Sequence, residues 1–471
     1  MMKKQLIVKA PRSRRFLMMS LMVVVMAMMT AACKKEFLSE KPSSTLNVPS
    51  SLDELRLLLI NPVDIRKSPS LGELSSDDYY MTRAEWSGQF LPYFSNAYVW
   101  KADIYEGAAD VNDWNMPYTQ VLYANVVLQQ LNAVSRNPAN AAAYDELKGT
   151  ALFMRAWSFF DLAQVFAPPY DGQTASVKPG IPIRLTADIG AGTTRASLQQ
   201  TYERILIDLS EAAVLIQTQK PALNGYMPSK LAVYGLLSRV YLNMRDYPRA
   251  GLYADSALAI KSNLINYNTL STTAAVPFGY DHPESIYQNM LVTANPLTYV
   301  ITSQGYSVDT LLYASYAAND LRRSIFFAQN GKYINKKRGY SGSINISNGL
   351  ATDELYLIRS ECYARAGQDA KSLADLNTLL FNRWKTGTFS PLSGLSGKAL
   401  LDRVLLERRK ELVFRGQRWN DLRRLNMEGF GISLTRNLDG EVFSLAPNSA
   451  RYTFPIPPNV IALTGIEQNS R

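Results

Sequence analysis

The stretch Glu407-Arg-Arg-Lys-Glu-Leu-Val-Phe-Arg-Gly-Gln-Arg-Trp-Asn-Asp-Leu-Arg-Arg424 is the part of the sequence that decides the fold. Its many basic residues suggest a surface for nucleic acid, but acidic residues are interleaved with them. Glu407 and Glu411 stand four residues apart, a spacing that places both side chains on one side of a helix. The mixture favours a network of ion pairs, partly buried under Phe414 and Trp419. We therefore expect no nucleic-acid partner.

Long segments with apolar residues at helical spacing precede this stretch. They predict helices over 52–60, 118–134, 144–166, 197–216, 231–244, 247–260, 353–366, 369–385 and 398 to about 425. Residues 262–345 and the C-terminal 45 residues are rich in Tyr, Asn, Ser, Pro and Gly, and they predict irregular structure. Strand-like alternation is scarce, so the sequence predicts a predominantly all-α protein.

Two of the predicted helix pairs resemble each other. The sequence Tyr241-Leu-Asn-Met-Arg-Asp-Tyr-Pro-Arg-Ala250 is echoed by Tyr363-Ala-Arg-Ala-Gly-Gln-Asp-Ala-Lys-Ser372. In each, an aromatic residue late in one helix stands nine residues before a small residue early in the next. That spacing is typical of tetratricopeptide repeats, in which the small residue lets two antiparallel helices approach closely. The pattern predicts a helical-repeat scaffold with long insertions.

The first 32 residues are typical of an export signal. A basic segment is followed by the apolar run Phe16–Met29, which is too short to span a bilayer. Thr30-Ala31-Ala32 then precedes Cys33, an arrangement that resembles a lipoprotein cleavage site with Cys33 as the lipidated residue. A plain secretory signal remains an alternative, because Thr30 stands where many such sites carry Leu. Residues 33–50, which are charged and rich in Ser and Pro, are expected to form a tether.

Charge and composition exclude several classes of function. The formal charge is +10, but six of the positive charges lie in the first 32 residues, which carry no acid, so the remaining chain carries +4. Only two cysteines (Cys33 and Cys362) and one histidine (His282) are present, which leaves no basis for a metal cluster or a histidine-based catalytic triad. The acidic doublet Asp77-Asp78 would point its carboxylates in different directions, so no acid pair is nominated for glycoside hydrolysis. We expect no enzyme, no metal and no cofactor.

Four segments, taken in order along the chain, resemble the SusD/RagB family. They are the opening Cys33-Lys-Lys-Glu-Phe-Leu-Ser-Glu-Lys-Pro42, the helix segment 146–167 with the sequence ELKGTALFMRAWSFFDLAQVFA, the 407–424 stretch, and Tyr452-Thr-Phe-Pro-Ile-Pro-Pro458 with Gln468-Asn469. The 407–424 stretch is the most specific of these. Within it the chain departs from the family pattern, because Arg415 stands where Glu is expected and Asn420 stands where Phe is frequent.

The resemblance implies a surface-exposed, outer-membrane lipoprotein that binds glycan without cleaving it and passes it to a SusC-like TonB-dependent transporter. It also implies one domain over 51–471, with a repeat scaffold at about 118–260 and 350–425 and ligand-face insertions at about 62–117 and 262–345. An alternative is a tetratricopeptide-type envelope scaffold that binds peptide or protein.

Sugar recognition needs aromatic faces for the apolar side of pyranose rings and polar side chains for the hydroxyl groups, carried on loops of a rigid scaffold. Two regions, 76–114 and 278–316, concentrate such residues. The candidate glycan-binding residues are Tyr79, Tyr80, Arg83, Trp86, Asn96, Tyr98 and Trp100 in the first region and Tyr280 and Tyr313 in the second.

Overall fold

The computed structural model describes residues 49, 51–60, 65–108, 110–219, 227–292, 297 and 306–471. Residues 50–471 form one compact unit. The predicted signal segment 1–32, the predicted lipidation site Cys33 and nearly all of the predicted tether 33–50 lie outside the described residues. The helices are α1 Leu52–Ile60, α2 Leu71–Ser75, α3 Arg83–Ser87, α4 Pro92–Tyr98, α5 Asn112–Leu131, α6 Ala141–Phe166, α7 Leu198–Leu215, α8 Lys230–Asn243, α9 Tyr247–Ile260, α10 Thr310–Ala314, α11 Arg322–Ile325, α12 Thr352–Arg365, α13 Asp369–Phe381, α14 Gly397–Glu411, α15 Arg418–Asn426 and α16 Pro458–Thr464.

The strands are short and pair two by two. They are β1 Lys67–Ser68, β2 Tyr79–Tyr80, β3 Pro179–Pro182, β4 Arg195–Ser197, β5 Ser285–Tyr287, β6 Met290–Leu291, β7 Ser307–Val308, β8 Phe327–Asn330, β9 Tyr333–Lys336, β10 Leu350–Ala351, β11 Leu434–Leu438 and β12 Glu441–Leu445. The pairs are β1 with β6, β2 with β7, β3 with β4, β5 with β10, β8 with β9 and β11 with β12; among them, β1–β6 is parallel and the rest are antiparallel. Helices dominate, as the sequence predicts.

The scaffold is a succession of helices in which each packs on the next. Helix α6 lies between α5 and α7, and α9 lies between α8 and α12. Helix α12 also packs against α13 and α14. The two predicted repeat pairs, α8–α9 and α12–α13, thus stack on each other through α9 and α12, although an insertion of about 90 residues separates them in sequence.

The two repeat pairs share their turn geometry. Arg245 and Gly367 each stand four residues after the repeat tyrosine and have positive φ angles of 62° and 68°. The next amide donates back to the tyrosine carbonyl at 2.9 Å in both pairs. Ser238 Oγ donates to Ala250 O, and Ser360 Oγ donates to Ser372 O, both at 2.9 Å. In both pairs, a residue with a left-handed backbone conformation ends the first helix, and a serine of the first helix donates a hydrogen bond to the second. These two features define the shared geometry of the repeat.

The prediction of a single helix from 398 to about 425 is wrong, because two helices, α14 and α15, occupy this segment. The chain leaves the helical path after α14, where Phe414 and Gly416 take positive φ angles of 54° and 69°. Gly416 also allows close approach, because a Cβ there would lie 2.9 Å from Asn348 Cβ. Gly416 N instead donates to the buried carboxylate of Glu73 at 3.0 Å. The non-helical prediction for the C-terminal 45 residues likewise missed α16.

The core of α6 contains a carboxyl group that titrates in an unusual range. Burial raises the pKa of Asp161 to about 7, although Ser68 donates a hydrogen bond to it. A raised carboxyl pKa adds stability below the pKa of the unfolded state, and that stability is lost as pH rises through the folded value. We expect the unfolding free energy of the wild type to fall between pH 5 and pH 8 by about 2–3 kcal/mol more than that of Asp161→Asn.

Urea titrations of both chains at the two pH values measure this difference. Glu284, whose pKa burial raises to about 7, is present in both chains, so its contribution cancels. Equal pH dependence in the two chains would contradict the raised pKa of Asp161.

Candidate ligand-binding face

The two regions predicted to bind glycan meet in the structure. Strand β2 pairs with β7, with Tyr79 opposite Val308 and Tyr80 opposite Ser307. The contact continues one residue further, where Asp309 N donates to Asp78 O at 2.9 Å. A segment of the first region and a segment of the second are therefore fixed side by side.

The 407–424 stretch anchors this junction. Arg418 holds Asp77 through two bonds of 2.6 and 2.8 Å, and Arg409 donates to Asp78 at 3.0 Å. Burial alone would raise the pKa of Asp77, but Arg418 and Arg409 outweigh it and hold that pKa below its usual value. Burial raises the pKa of Asp78 to about 6 against the opposing charge of Arg409. The two carboxylates of the acidic doublet thus join this segment to the 407–424 stretch through ion pairs, a role that the sequence pattern does not predict.

Four of the nine candidate residues are corrected by the structure, because their side chains are buried: Tyr79, Asn96, Tyr98 and Trp100. Trp100 is 0% exposed and donates its indole N–H to Ser75 O at 3.0 Å. The side-chain amide of Asn96 donates a hydrogen bond to Ile104 O at 3.1 Å. None of these four side chains is exposed enough to contact a sugar.

The physical reason for this burial is Arg436 of β11. Its guanidinium lies over the rings of Tyr79, Tyr98 and Trp100 at 5.5, 4.2 and 5.0 Å. It also donates to the carbonyls of Ser76 and Tyr79. The three aromatic residues surround an arginine that lies more than 330 residues further along the chain. They belong to the buried layer under the candidate ligand-binding face.

Arg83 and Trp86 of α3 lie at the surface, where the hairpin β11–β12 joins them. The helix begins at a capping box made by Thr82 and Glu85. Trp86 is half-buried; its ring centroid lies 6.4 Å from that of Phe443, and the Arg83 guanidinium lies 5.5 Å from the Trp86 ring. Two hydrogen bonds with Ser95 fix Trp86: its indole N–H donates to Ser95 O at 2.8 Å, and Ser95 Oγ donates to Trp86 O at 2.7 Å.

Polar groups stand beside these rings. Arg83 donates to Leu438 O at 2.8 Å and to Glu441 Oε2 at 2.6 Å, and its side chain is 36% exposed while that of Glu441 is 53% exposed. We call Arg83, Trp86, Glu441 and Phe443 the aromatic cluster. Sequence reasoning missed the two hairpin residues, although the Asp439-Gly440 turn between alternating residues is a readable hairpin signal.

The remaining candidates are half-buried: Tyr80, Tyr280 and Tyr313. Tyr313 packs edge-on against Phe327 at 5.7 Å, and Arg323 lies over its ring at 4.8 Å. The carbonyl of Tyr280 accepts a hydrogen bond from Gln288 at 2.8 Å. The structure leaves these three residues, with Arg83 and Trp86, as predictions.

Two family models match this chain. One, described as "Starch-binding associating with outer membrane", matches residues 36–242, and the other, the SusD family, matches residues 270–470. The chain belongs to the SusD/RagB family. The resemblance found from the four sequence segments is therefore confirmed over nearly all of the chain.

Solved structures of SusD/RagB proteins share the fold. A SusD superfamily protein from Bacteroides thetaiotaomicron has a TM-score of 0.72 at 21% identity and covers 89% of this chain and 100% of its own. One from Bacteroides fragilis has a TM-score of 0.70 at 22% identity, with 89% and 99% covered. A laminarin-binding SusD-like protein has a TM-score of 0.62 at 16% identity, with 89% and 98% covered. Comparison with curated proteins gives no match.

Two further observations concern the described part of the chain. Its acidic, histidine and cysteine side chains nowhere form a group of three or more that could hold a metal ion. None of its helices combines the length and the apolar character needed to cross a bilayer.

Proposed function

We propose that this SusD/RagB protein is a cell-surface lipoprotein that binds glycan and delivers it to a SusC-like TonB-dependent transporter in the outer membrane. The observation that carries the proposal is the aromatic cluster, a partly exposed tryptophan beside a second ring, with an arginine and a glutamate at hydrogen-bonding distance from each other. Such rings suit the apolar side of a pyranose, and the charged groups suit its hydroxyls. The cluster rests on a rigid support, because the caged Arg436 belongs to the same hairpin as Phe443.

The same arrangement supports binding without cleavage. Hydrolysis of a glycosidic bond needs one carboxyl group as an acid and a second as a nucleophile or base. Asp77 and Asp78 are held in ion pairs with Arg418 and Arg409, and Glu441 is held by Arg83. The laminarin-binding relative and the starch-binding description of the matched family point to polysaccharide as the ligand class.

Affinity electrophoresis of the mature chain tests this function. Native gels containing soluble starch, laminarin or another polysaccharide are compared with a plain gel. We expect at least one polysaccharide to retard the chain relative to a non-binding reference protein. Unchanged mobility in a broad panel, together with no heat of binding by calorimetry, would overturn the proposal.

The anchor is a separate part of the proposal, in which residues 1–32 are removed, Cys33 is lipidated and residues 33–50 tether the domain 51–471. In a host with lipoprotein-processing enzymes, we expect labelled palmitate in the wild type and none in Cys33→Ala. Cys362→Ala is the matched control, because Cys362 is buried and its loss should leave the label unchanged. Label that persists in Cys33→Ala would contradict lipidation at that residue.

A further inference from the structure

A small cavity lies where the segment that follows β9 meets the turn between α14 and α15. Its volume is about 40 Å³, and Phe278, Phe326, Ile346 and Phe414 form much of its apolar wall. A buried water needs roughly 10–15 Å³ measured in this way. The cavity thus has room for a group about the size of a tetrahedral oxyanion and is too small for a sugar ring.

Four cations line this cavity: Lys336, Lys337, Arg338 and Arg415. The acid among its lining residues is Glu411, and both of its carboxylate oxygens are already occupied. Arg383 Nε donates to one at 2.7 Å, and Arg322 Nη1 donates to the other at 3.0 Å. The cavity wall therefore carries an excess of positive charge.

Three of these cations have donors to spare. Arg415 uses Nη1 on Asp353 at 3.2 Å, but its Nε is buried with no hydrogen-bond partner in the described structure. Arg338 is half-buried; its backbone amide donates to Ala275 O at 3.2 Å, but its side chain makes no hydrogen bond or ion pair to another described residue. Lys336 has a single long contact of 3.5 Å to Ile344 O. By contrast, Lys337 Nζ donates a short hydrogen bond to Thr272 O at 2.5 Å.

Glu73 is the acidic residue whose charge acts on Lys336. The two groups stabilise each other electrostatically, yet no hydrogen bond joins them. Burial lowers the pKa of Lys336 to about 8 and raises that of Glu73 to about 8. Both charged forms are thus penalised by burial, and an anion in the cavity would offset the penalty on the lysine.

We propose that this cavity binds a compact oxyanion (a sulfate, phosphate or carboxylate group) through Arg338, Arg415 and Lys336. Planar guanidinium groups match oxyanions with paired donors, and a buried site strengthens each charge-assisted bond. Arg415 stands where the family pattern leads one to expect Glu, so this cation of the proposed site departs from that pattern. The oxyanion arrives either as a free ion or as a substituent of a glycan.

Sulfate binding measured by calorimetry at constant ionic strength tests the site. The probe is sodium sulfate, and the chains compared are the wild type, Arg338→Gln and Lys332→Gln. Arg338→Gln should fold normally, since the side chain has no partner to lose. Lys332→Gln removes the same charge from the exposed β8–β9 turn and serves as the control. We expect Arg338→Gln to weaken sulfate binding about tenfold and Lys332→Gln to leave it unchanged.

Two results would overturn the site. One is a wild-type chain that binds no sulfate at millimolar concentration, and the other is equal binding by all three chains, which would indicate an ion held elsewhere. Competition then identifies the source. If a sulfated oligosaccharide displaces sulfate from the wild type and its desulfated form does not, the site binds the sulfate group of a glycan. Failure to displace it leaves the free ion as the ligand. The sulfate titration needs no glycan, so its result is independent of the proposed function.

Discussion

Replacing Arg322 with methionine is expected to lower the free energy of unfolding at pH 7 by about 3–5 kcal/mol. Arg322 is 0% exposed and bonds three buried carboxylates: Asp320 at 2.7 and 2.9 Å, Glu407 at 2.5 Å and Glu411 at 3.0 Å. Without Arg322, Lys410 and the partly exposed Arg403 would still contact Asp320 and Glu407. Glu411 would keep only Arg383, which it shares with the buried Glu284. The substitution therefore leaves one carboxylate buried without compensation, which costs far more than the loss of an exposed pair.

Urea unfolding of the purified chains measures this loss. Arg403→Met is the matched control, because Arg403 also contacts Glu407, at 2.9 Å, but is 31% exposed. We expect the control to lose less than about 1 kcal/mol. A loss in Arg322→Met as small as that in the control would show that the network does not depend on its central cation.

The pH dependence gives the same prediction a second measurement. Burial alone would raise the pKa of Asp320, but Arg322 reverses the effect and lowers it to about 2. That lowered pKa contributes stability above the unfolded-state value and loses it as pH falls towards 2. Without Arg322, the uncompensated carboxylate has a raised pKa and becomes neutral in mild acid. The deficit of Arg322→Met should therefore shrink between pH 7 and pH 5.

The ion-pair network shows what local sequence can and cannot predict. The mixture of charges in residues 407–424 predicts that ion pairs exist, and within the stretch Arg408 and Arg424 do meet Asp421 at 2.9 and 2.8 Å. Their other partners come from distant elements, as when Arg424 binds Glu361 of α12 at 2.6 Å. Helical spacing is a local signal, so it cannot name partners that only the stacking of α12, α14 and α15 brings together.

The candidate ligand-binding site also depends on contacts between distant parts of the chain. Composition picks out an aromatic-rich region, but it cannot tell which of its rings are buried and which are partly exposed. Trp86 and Trp100 look alike in sequence, yet Trp100 packs on Arg436 and Trp86 remains half-buried at the surface. The difference depends on a hairpin more than 330 residues further along the chain, for which neither tryptophan carries a local signal.

Replacing Trp86 with alanine is expected to weaken binding of any retained polysaccharide by about 30-fold, which corresponds to roughly 2 kcal/mol for a binding hot spot. The indole provides the largest ring of the aromatic cluster, and Ser95 and Phe443 hold it in one orientation. Binding therefore needs little further ordering of this side chain. Calorimetry with the polysaccharide that most retards the wild type measures the change.

Three further variants separate stacking from folding. Trp86→Phe keeps an aromatic face but loses the bond to Ser95 O, so it should retain most of the affinity if ring contact dominates. Phe443→Ala should weaken binding less than Trp86→Ala, because it removes the smaller ring of the pair. Phe381→Ala removes a 66% exposed ring from scaffold helix α13 and should leave binding unchanged. If Trp86→Ala folds and binds as tightly as Phe381→Ala, the aromatic cluster is not the glycan platform, and the ligand must lie on another part of the face.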